Sequence, residues 1–65
     1  MGTLPIAAVE RLIRSVGAGR VGRDAAEALA AILEQKGAQL ATKAVKLARH
    51  AGRKTVTGDD IRLAD

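Results

Sequence analysis

The 65-residue sequence contains no cysteine and a single histidine, so disulfide bonds are excluded and the histidine cannot form a metal site by itself. A domain of this length rarely gains more than about 3 to 5 kcal/mol from its own hydrophobic core. Disulfides, a metal ion or oligomerisation usually supply the remaining stability. Because the first two are not available, we expect the chain to oligomerise.

Phenylalanine, tyrosine and tryptophan are also absent, while the net charge is +4. A small basic protein attracts phosphate-rich polyanions. Proteins that bind single-stranded nucleic acid usually stack aromatic side chains on the bases. The missing aromatic residues therefore favour the backbone of a duplex as the partner. With 48% hydrophobic residues, the chain is expected to fold rather than to form a disordered basic tail.

Membrane and export signals are not recognisable in the sequence. No apolar stretch approaches the ~20 residues that span a membrane, and the first residues lack the charged start of a signal peptide. Ile6 stands where N-myristoylation requires serine or threonine. We therefore expect a soluble, intracellular protein located in the cytoplasm, with no membrane partner.

The first predicted helix begins near Pro5, because proline suits the first turn of a helix. Four apolar residues recur at spacings of three, four and three and so predict one apolar face: Ile6, Val9, Ile13 and Val16. Arg11 and Arg14 project from another face. The segment Gly17-Ala18-Gly19 ends the helix, and a short connector from Arg20 to Gly22 follows.

A second, much longer helix is predicted from Arg23 to Ala51. Its apolar side carries these residues: Leu29, Ile32, Leu33, Leu40, Ala44, Leu47 and Ala51. The helix would be roughly 43 Å long, against about 18 Å for the first helix and about 12 Å for the last, so its neighbours cannot cover it. A second copy crossing near Gly37, where two backbones can approach closely, would cover it. Alternatively, Gly37 is a tolerated defect that costs about 1 kcal/mol relative to alanine.

The segment from Lys46 to Val56 carries a net charge of +4, as much as the whole chain. Gly52 is expected to close the long helix in the left-handed conformation, which leaves Arg53 and Lys54 on a turn and free to meet an anion. Thr55-Val56 favours extended backbone. Thr57 then caps a third helix, Gly58 to Asp65, with Asp60 at the capping-box position.

The cations at the helix junctions have two possible roles, phosphate contact or ordinary solvated surface. Their clustering favours phosphate contact, because residues 25 to 45 sum to zero charge while the junctions hold Arg20, Arg23, Arg53 and Lys54. Thr55 either contacts phosphate or merely favours extended backbone. Three other lysines are expected to be solvated: Lys36, Lys43 and Lys46.

Cofactor binding and catalysis are not expected. The segment from Gly17 to Gly22 formally matches the dinucleotide-binding pattern G-x-G-x-x-G, but that motif requires a preceding strand and here a helix precedes it. His50 has no serine or cysteine nucleophile in a recognisable arrangement with an orienting acid. We therefore predict no catalytic residue, no cofactor and no small-molecule substrate.

Two strings of residues carry a family resemblance: Leu4-Pro5-Ile6-Ala7 and the unusual run from Leu47 to Thr55. With the short-long-short helix order, they resemble the histone fold, specifically the archaeal histones, over essentially the whole chain. The resemblance implies an all-α, single domain over residues 1–65 that forms an intertwined head-to-tail dimer. The implied dimer core contains Leu29, Ile32, Leu33, Gly37 and Leu40.

The resemblance also implies that such dimers bind, bend and compact duplex DNA on the chromosome with little sequence preference. The connector Arg20-Val21-Gly22 would lie beside Lys54-Thr55-Val56 of the partner. The implied DNA-binding residues are Arg11, Arg14, Arg20, Arg23, Arg53, Lys54 and Thr55.

Dimers of this family also stack into tetramers or longer filaments on DNA. Leu47, His50 and Asp60 match the stacking positions, with His50 of one dimer facing Asp60 of the next, while Arg53 can pair with Asp60 inside its own chain. A second hypothesis is a histone-fold interaction subunit that forms a heterodimer within a larger assembly and contacts DNA little.

Overall fold

Three α-helices make up the secondary structure of the computed structural model, which describes residues 4–65. They are α1 (Ile6–Ser15), α2 (Arg23–His50) and α3 (Gly58–Ala64). Within residues 4–65 there is no strand, so the predicted all-α class and the short-long-short order are confirmed. The chain divides into two compact units, Met1–Gln35 and Lys36–Asp65.

In the first unit, the core is formed by Val9 of α1 with Ala26 and Ala30 of α2. Six larger apolar residues pack against this core but stay only partly buried: Leu4, Ile6, Ile13, Val21, Leu29 and Leu33. Pro5 immediately precedes α1 and accepts a hydrogen bond on its carbonyl from the Val9 N–H at 3.2 Å. The predicted apolar face of α1 thus packs on the start of α2.

Val16 does not belong to that face, contrary to the prediction. The helix ends at Ser15, and Val16 has a non-helical backbone with φ −101° and ψ 16°. Gly17 then takes a φ of 109°, which turns the chain away. Because the helical period stops before Val16, its side chain is 83% exposed.

At the start of α2, the Gly22 carbonyl accepts hydrogen bonds from the N–H groups of Ala25 and Ala26. The Asp24 carboxylate folds back over Gly22, so that a Cβ at position 22 would lie 2.6 Å from Asp24 Oδ1. That oxygen is the end of a flexible side chain and could shift to accommodate a Cβ. Asp24 lies in the first turn of α2, where the helix dipole favours a negative charge.

The second unit buries Ala44 and Ala48 of α2 together with Asp60 and Ala64 of α3. The helix α2 ends at His50, one residue earlier than predicted, and Ala51 lies in the closing turn. Gly52 has the predicted left-handed conformation, with φ 73°. Its N–H donates to the Arg49 carbonyl and the next N–H, of Arg53, donates to the Ala48 carbonyl, which is the Schellman pattern.

Two further features of this unit differ from the prediction, namely the backbone at residues 54 and 55 and the end of the last helix. Lys54 and Thr55 form a bend rather than a continuous extended segment. Because the Arg53 side chain holds the Thr55 carbonyl at 3.1 Å, the backbone curves at this point. The last helix stops at Ala64, and Asp65 is its C-terminal cap.

The buried apolar residues are unusually small. Among residues 4–65 they are one valine and five alanines, and no large side chain is fully buried. Ile32 remains 48% exposed in the first unit and Leu63 remains 75% exposed in the second. Each unit therefore presents large apolar side chains that it does not cover itself. No helix in the described part of the chain is long and apolar enough to cross a membrane.

Candidate nucleic-acid interface

The junction between α2 and α3 is organised by an ion pair between Arg53 and Asp60. The guanidinium donates from Nη2 to Asp60 Oδ1 at 2.7 Å and from Nη1 to Asp60 Oδ2 at 2.9 Å. The same Nη1 also donates to the Thr55 carbonyl at 3.1 Å. A two-pronged contact of this kind fixes orientation as well as distance. The structure thus brings together the two residues that the sequence analysis paired within one chain.

The Asp60 carboxylate also completes the N-terminal cap of α3. Its Oδ2 accepts from the Thr57 N–H at 2.9 Å and from the Thr57 hydroxyl at 3.1 Å. In return, the Asp60 N–H donates to Thr57 Oγ1 at 3.4 Å, which closes the predicted capping box. Asp60 is only 3% exposed, so this buried charge is satisfied entirely by its neighbours.

These contacts change the expected role of Arg53. Contrary to the prediction, Arg53 is not free to meet an anion, because three hydrogen bonds of its side chain go to Asp60 and Thr55. Its side chain is still 41% exposed. Lys54 is exposed beside it and has no hydrogen bond or ion pair with any residue between 4 and 65. Arg53 therefore shapes the bend, and Lys54 is the cation that the bend presents.

The hydrogen bonds between Arg53 and Asp60 shift the pKa values of both groups. The Arg53 guanidinium hydrogen-bonded to Asp60 holds the pKa of that carboxyl far below its usual range, and the Thr57 backbone N–H acts in the same direction. Burial opposes both effects without overcoming them. The Asp60 hydrogen bond also raises the pKa of Arg53. Both groups are thus held in their charged forms.

The other predicted DNA-binding residues lie on α1 and at the start of α2. Arg11, Arg20 and Arg23 are exposed, and their side chains make no hydrogen bond or ion pair within the described chain. Arg14 is exposed too, and its Nη2 lies 3.7 Å from Oε2 of Glu10, an exposed pair that holds it weakly. These arginines are therefore available to an external anion.

The predicted dimer-core residues are only partly covered in the described part of the chain. Leu29, Leu33 and Leu40 are half-buried, and Ile32 is exposed. Apart from Gly37 itself, its two neighbours and the adjoining helix backbone, no heavy atom of residues 4–65 lies within 4 Å of the place a Cβ at position 37 would occupy. A second helix has room to approach there, and its presence remains a prediction.

The predicted stacking residues differ in their exposure. Leu47 and His50 are exposed on α2, whereas the Asp60 carboxylate is buried and already accepts four hydrogen bonds. The sequence analysis missed two exposed apolar residues on α3, namely Ile61 at 41% and Leu63 at 75%. In a helix of seven residues, too few apolar positions recur to show which of them face solvent.

Three helices in short-long-short order, with exposed cations at both junctions, define a protein of the histone-fold class. The family model of histone-like transcription factors (CBF/NF-Y) and archaeal histones matches residues 2–64. The chain therefore belongs to this family, and the resemblance seen in its sequence is confirmed.

Two archaeal relatives are similar over almost their whole length. One is a component chain of the archaeal histone HAN1 from Thermococcus zilligii, to which this chain is 56% identical over 64 residues, covering 98% of this chain and 96% of that protein. The other is probable archaeal histone 3 from Methanocaldococcus jannaschii, which is 41% identical over 64 residues, with the same coverage of both chains.

The ion pair between Arg53 and the buried Asp60 predicts that the stability of the chain depends on acid. The pKa of Asp60 is lower in the folded chain than its value of about 4 in the unfolded chain. At a pH below about 4, the unfolded chain therefore binds a proton that the folded chain does not, and this favours unfolding. The Asp60 contribution is complete above about pH 5 and declines below about pH 4. Asp60→Asn should therefore lower the free energy of unfolding at neutral pH, and its difference from the wild type should shrink with acidification. Urea unfolding at fixed protein concentration measures this.

Asp59→Asn is the matched control, because the ion pair of Asp59, with Arg62, is exposed. It should leave the acid dependence of the wild type nearly unchanged. A constant difference between Asp60→Asn and the wild type from neutral to acidic pH would contradict the assignment.

Proposed function

We propose that this protein is a DNA-binding histone that binds, bends and compacts duplex DNA as a dimer, with little sequence preference. The observation that carries the proposal is the exposure of Arg20 and Lys54, whose side chains have no partner among residues 4–65, at the two helix junctions of a histone-family chain. The names of both relatives, which are archaeal histones, support it. The protein would act on the chromosome, without a catalytic step.

Contact with DNA would be mainly electrostatic. Lysine and arginine that neutralise phosphates release condensed counterions, which favours binding without reference to base sequence. Arg20 would enter a narrowed minor groove, where arginine responds to groove width and potential rather than to base identity. Arg11 and Arg14 would serve the centre of the dimer, and Arg23 would contact phosphate near the start of α2.

At the other junction, Lys54 and Thr55 would hold the DNA backbone. Arg53 would act chiefly by positioning them, because its guanidinium is anchored to the buried Asp60 and to the Thr55 carbonyl. This rigid bend would lie beside Arg20-Val21-Gly22 of the partner chain. Each end of the dimer would thus combine cations from two chains.

A homodimer is the simplest way to cover the open apolar surface. Large apolar residues of α2 such as Ile32 are half-exposed in a single chain, whereas alanine occupies most of the buried positions. Burying apolar area yields about 25 cal/mol per Å², which is the missing source of stability in so short a chain. Leu29, Leu33, Gly37 and Leu40 would complete the contact.

Stacking of dimers into tetramers or filaments would use the exposed apolar side chains of the second unit. Leu47 and His50 on α2 would meet a neighbouring dimer, and the exposure of Ile61 and Leu63 on α3 supports an apolar contact there. Asp60 would contribute mainly by fixing α3, since its carboxylate is buried.

A second candidate is one component of a heteromeric histone complex. The observation that favours it is the name of the HAN1 relative, which designates that protein as one of several subunits and so implies a companion chain. In that case the partner would be another histone-fold chain.

DNA binding is tested by the salt dependence of affinity for random duplexes. Each neutralised phosphate contributes about 0.9 to the slope of log affinity against log salt. Arg20→Ala or Lys54→Ala removes two cations from each dimer, so the slope should fall by about 1.8 and affinity should drop alike for all sequences. Fluorescence anisotropy over a salt series measures both.

Lys43→Ala is the control, because Lys43 is also exposed but lies within α2, away from both junctions. Its slope should match that of the wild type. Salt-independent binding, no binding at all, or losses confined to one sequence class would contradict the proposal.

Stacking is tested by nuclease digestion of reconstituted complexes. We expect a ladder of protected fragments for the wild type, and shorter fragments for His50→Ala, because the contact between dimers is weakened while the dimer persists. Sedimentation of the variant without DNA checks that the dimer is intact. An unchanged ladder would exclude His50 from stacking.

A further inference from the structure

Lys36 lies in the middle of the surface that is proposed to meet a second chain. On α2 it follows Ile32 by four residues, precedes Leu40 by four and adjoins Gly37. Side chains three or four residues apart share one face of a helix, so Lys36 belongs to the same stripe as those apolar residues. The Lys36 side chain is exposed and has no hydrogen bond or ion pair in the described chain.

The position next to Gly37 has a particular consequence in a symmetric dimer. If two antiparallel copies of α2 cross at Gly37, residues near the crossing face their own copies. Lys36 lies one residue from Gly37 in each chain, so the two Lys36 positions are separated by only about 3 Å along the helix axis. A homodimer thus places the two Lys36 ammonium groups close together, within the apolar contact between the two copies of α2.

Asp65 of the same chain borders the same surface depression as Lys36. On α2 itself, no carboxylate near the crossing lies on the face of Lys36, because residues two positions apart do not face each other. Between residues 32 and 40, the only other charged residue is Glu34. Its carboxylate accepts a hydrogen bond from the Leu4 N–H at 3.2 Å in its own chain and has a further interaction. Like charges brought together at reduced hydration oppose association.

We propose that Lys36 selects the partner of this chain: it weakens pairing with a second copy and favours a related histone-fold chain that presents a carboxylate at the crossing. The inference rests on the proposed dimer and specifies its partner. A carboxylate opposite Lys36 replaces repulsion by an ion pair at the centre of the interface, where specificity determinants act most strongly.

The first test removes the charge. Lys36→Met keeps length and helix propensity, so the dissociation constant of the homodimer should fall by about tenfold because no ammonium is desolvated. Lys43→Met is the matched control, since Lys43 borders the same surface depression as Lys36. It lies six residues from Gly37, so its two copies are about 18 Å apart along the axis. Sedimentation equilibrium without DNA should show little change for it.

The second test supplies the carboxylate. Wild-type and Lys36→Glu chains, distinguished by isotopic mass, are refolded together and analysed by native mass spectrometry. We expect heterodimers in roughly tenfold excess over random pairing, because only the mixed dimer opposes lysine to glutamate. A Lys36→Glu chain that folds only with the wild type gives the same heterodimer and supports the proposal. A mixture of wild type with Lys43→Glu should pair at random.

Random pairing of Lys36→Glu with the wild type, or an equal preference for Lys43→Glu, overturns the proposal. So does a dissociation constant that Lys36→Met leaves unchanged, because Lys36 then extends into solvent at the rim. DNA binding of the wild type is measured on the same preparations. Intact DNA binding with random pairing refutes the role of Lys36 alone, whereas loss of DNA binding refutes the proposed function.

Discussion

The structure depends on one constraint: neither unit of the chain has a core large enough for its own apolar side chains. The buried positions hold alanine and one valine, while leucine and isoleucine stay partly exposed on α2 and α3. Because burial of apolar area is the main favourable term in folding, the chain gains much of its stability only when something else covers these residues. In the proposed dimer, the same event that stabilises the helices also brings the basic junctions of two chains together.

Within one chain, the pair between Arg53 and Asp60 links local structure to the proposed function. The buried carboxylate caps α3 through Thr57 and holds the guanidinium, which in turn holds the Thr55 carbonyl. One charged group therefore begins a helix and shapes a bend. The two adjacent cations differ in role, because the Arg53 side chain is bound to Asp60 whereas the Lys54 side chain is exposed.

Much of the fold was predictable from local chemistry. Gly52 needs a left-handed backbone and Thr57 with Asp60 forms a capping box, so both ends of the second junction follow from residue type alone. The exposure of Val16 and the curvature at Thr55 were not predictable, because they depend on where a helix stops and on a hydrogen bond from Arg53. The inward orientation of Arg53 likewise required the geometry of Asp60, because spacing alone allows both a salt bridge and a phosphate contact.

The central claim, that a second chain covers the apolar face of α2, is tested most directly by measuring mass and stability over a wide range of protein concentration. Sedimentation equilibrium should give the mass of two chains, and the thermal unfolding midpoint should rise with concentration because folding and association are linked. A folded species with the mass of one chain, and a midpoint independent of concentration, would contradict the account.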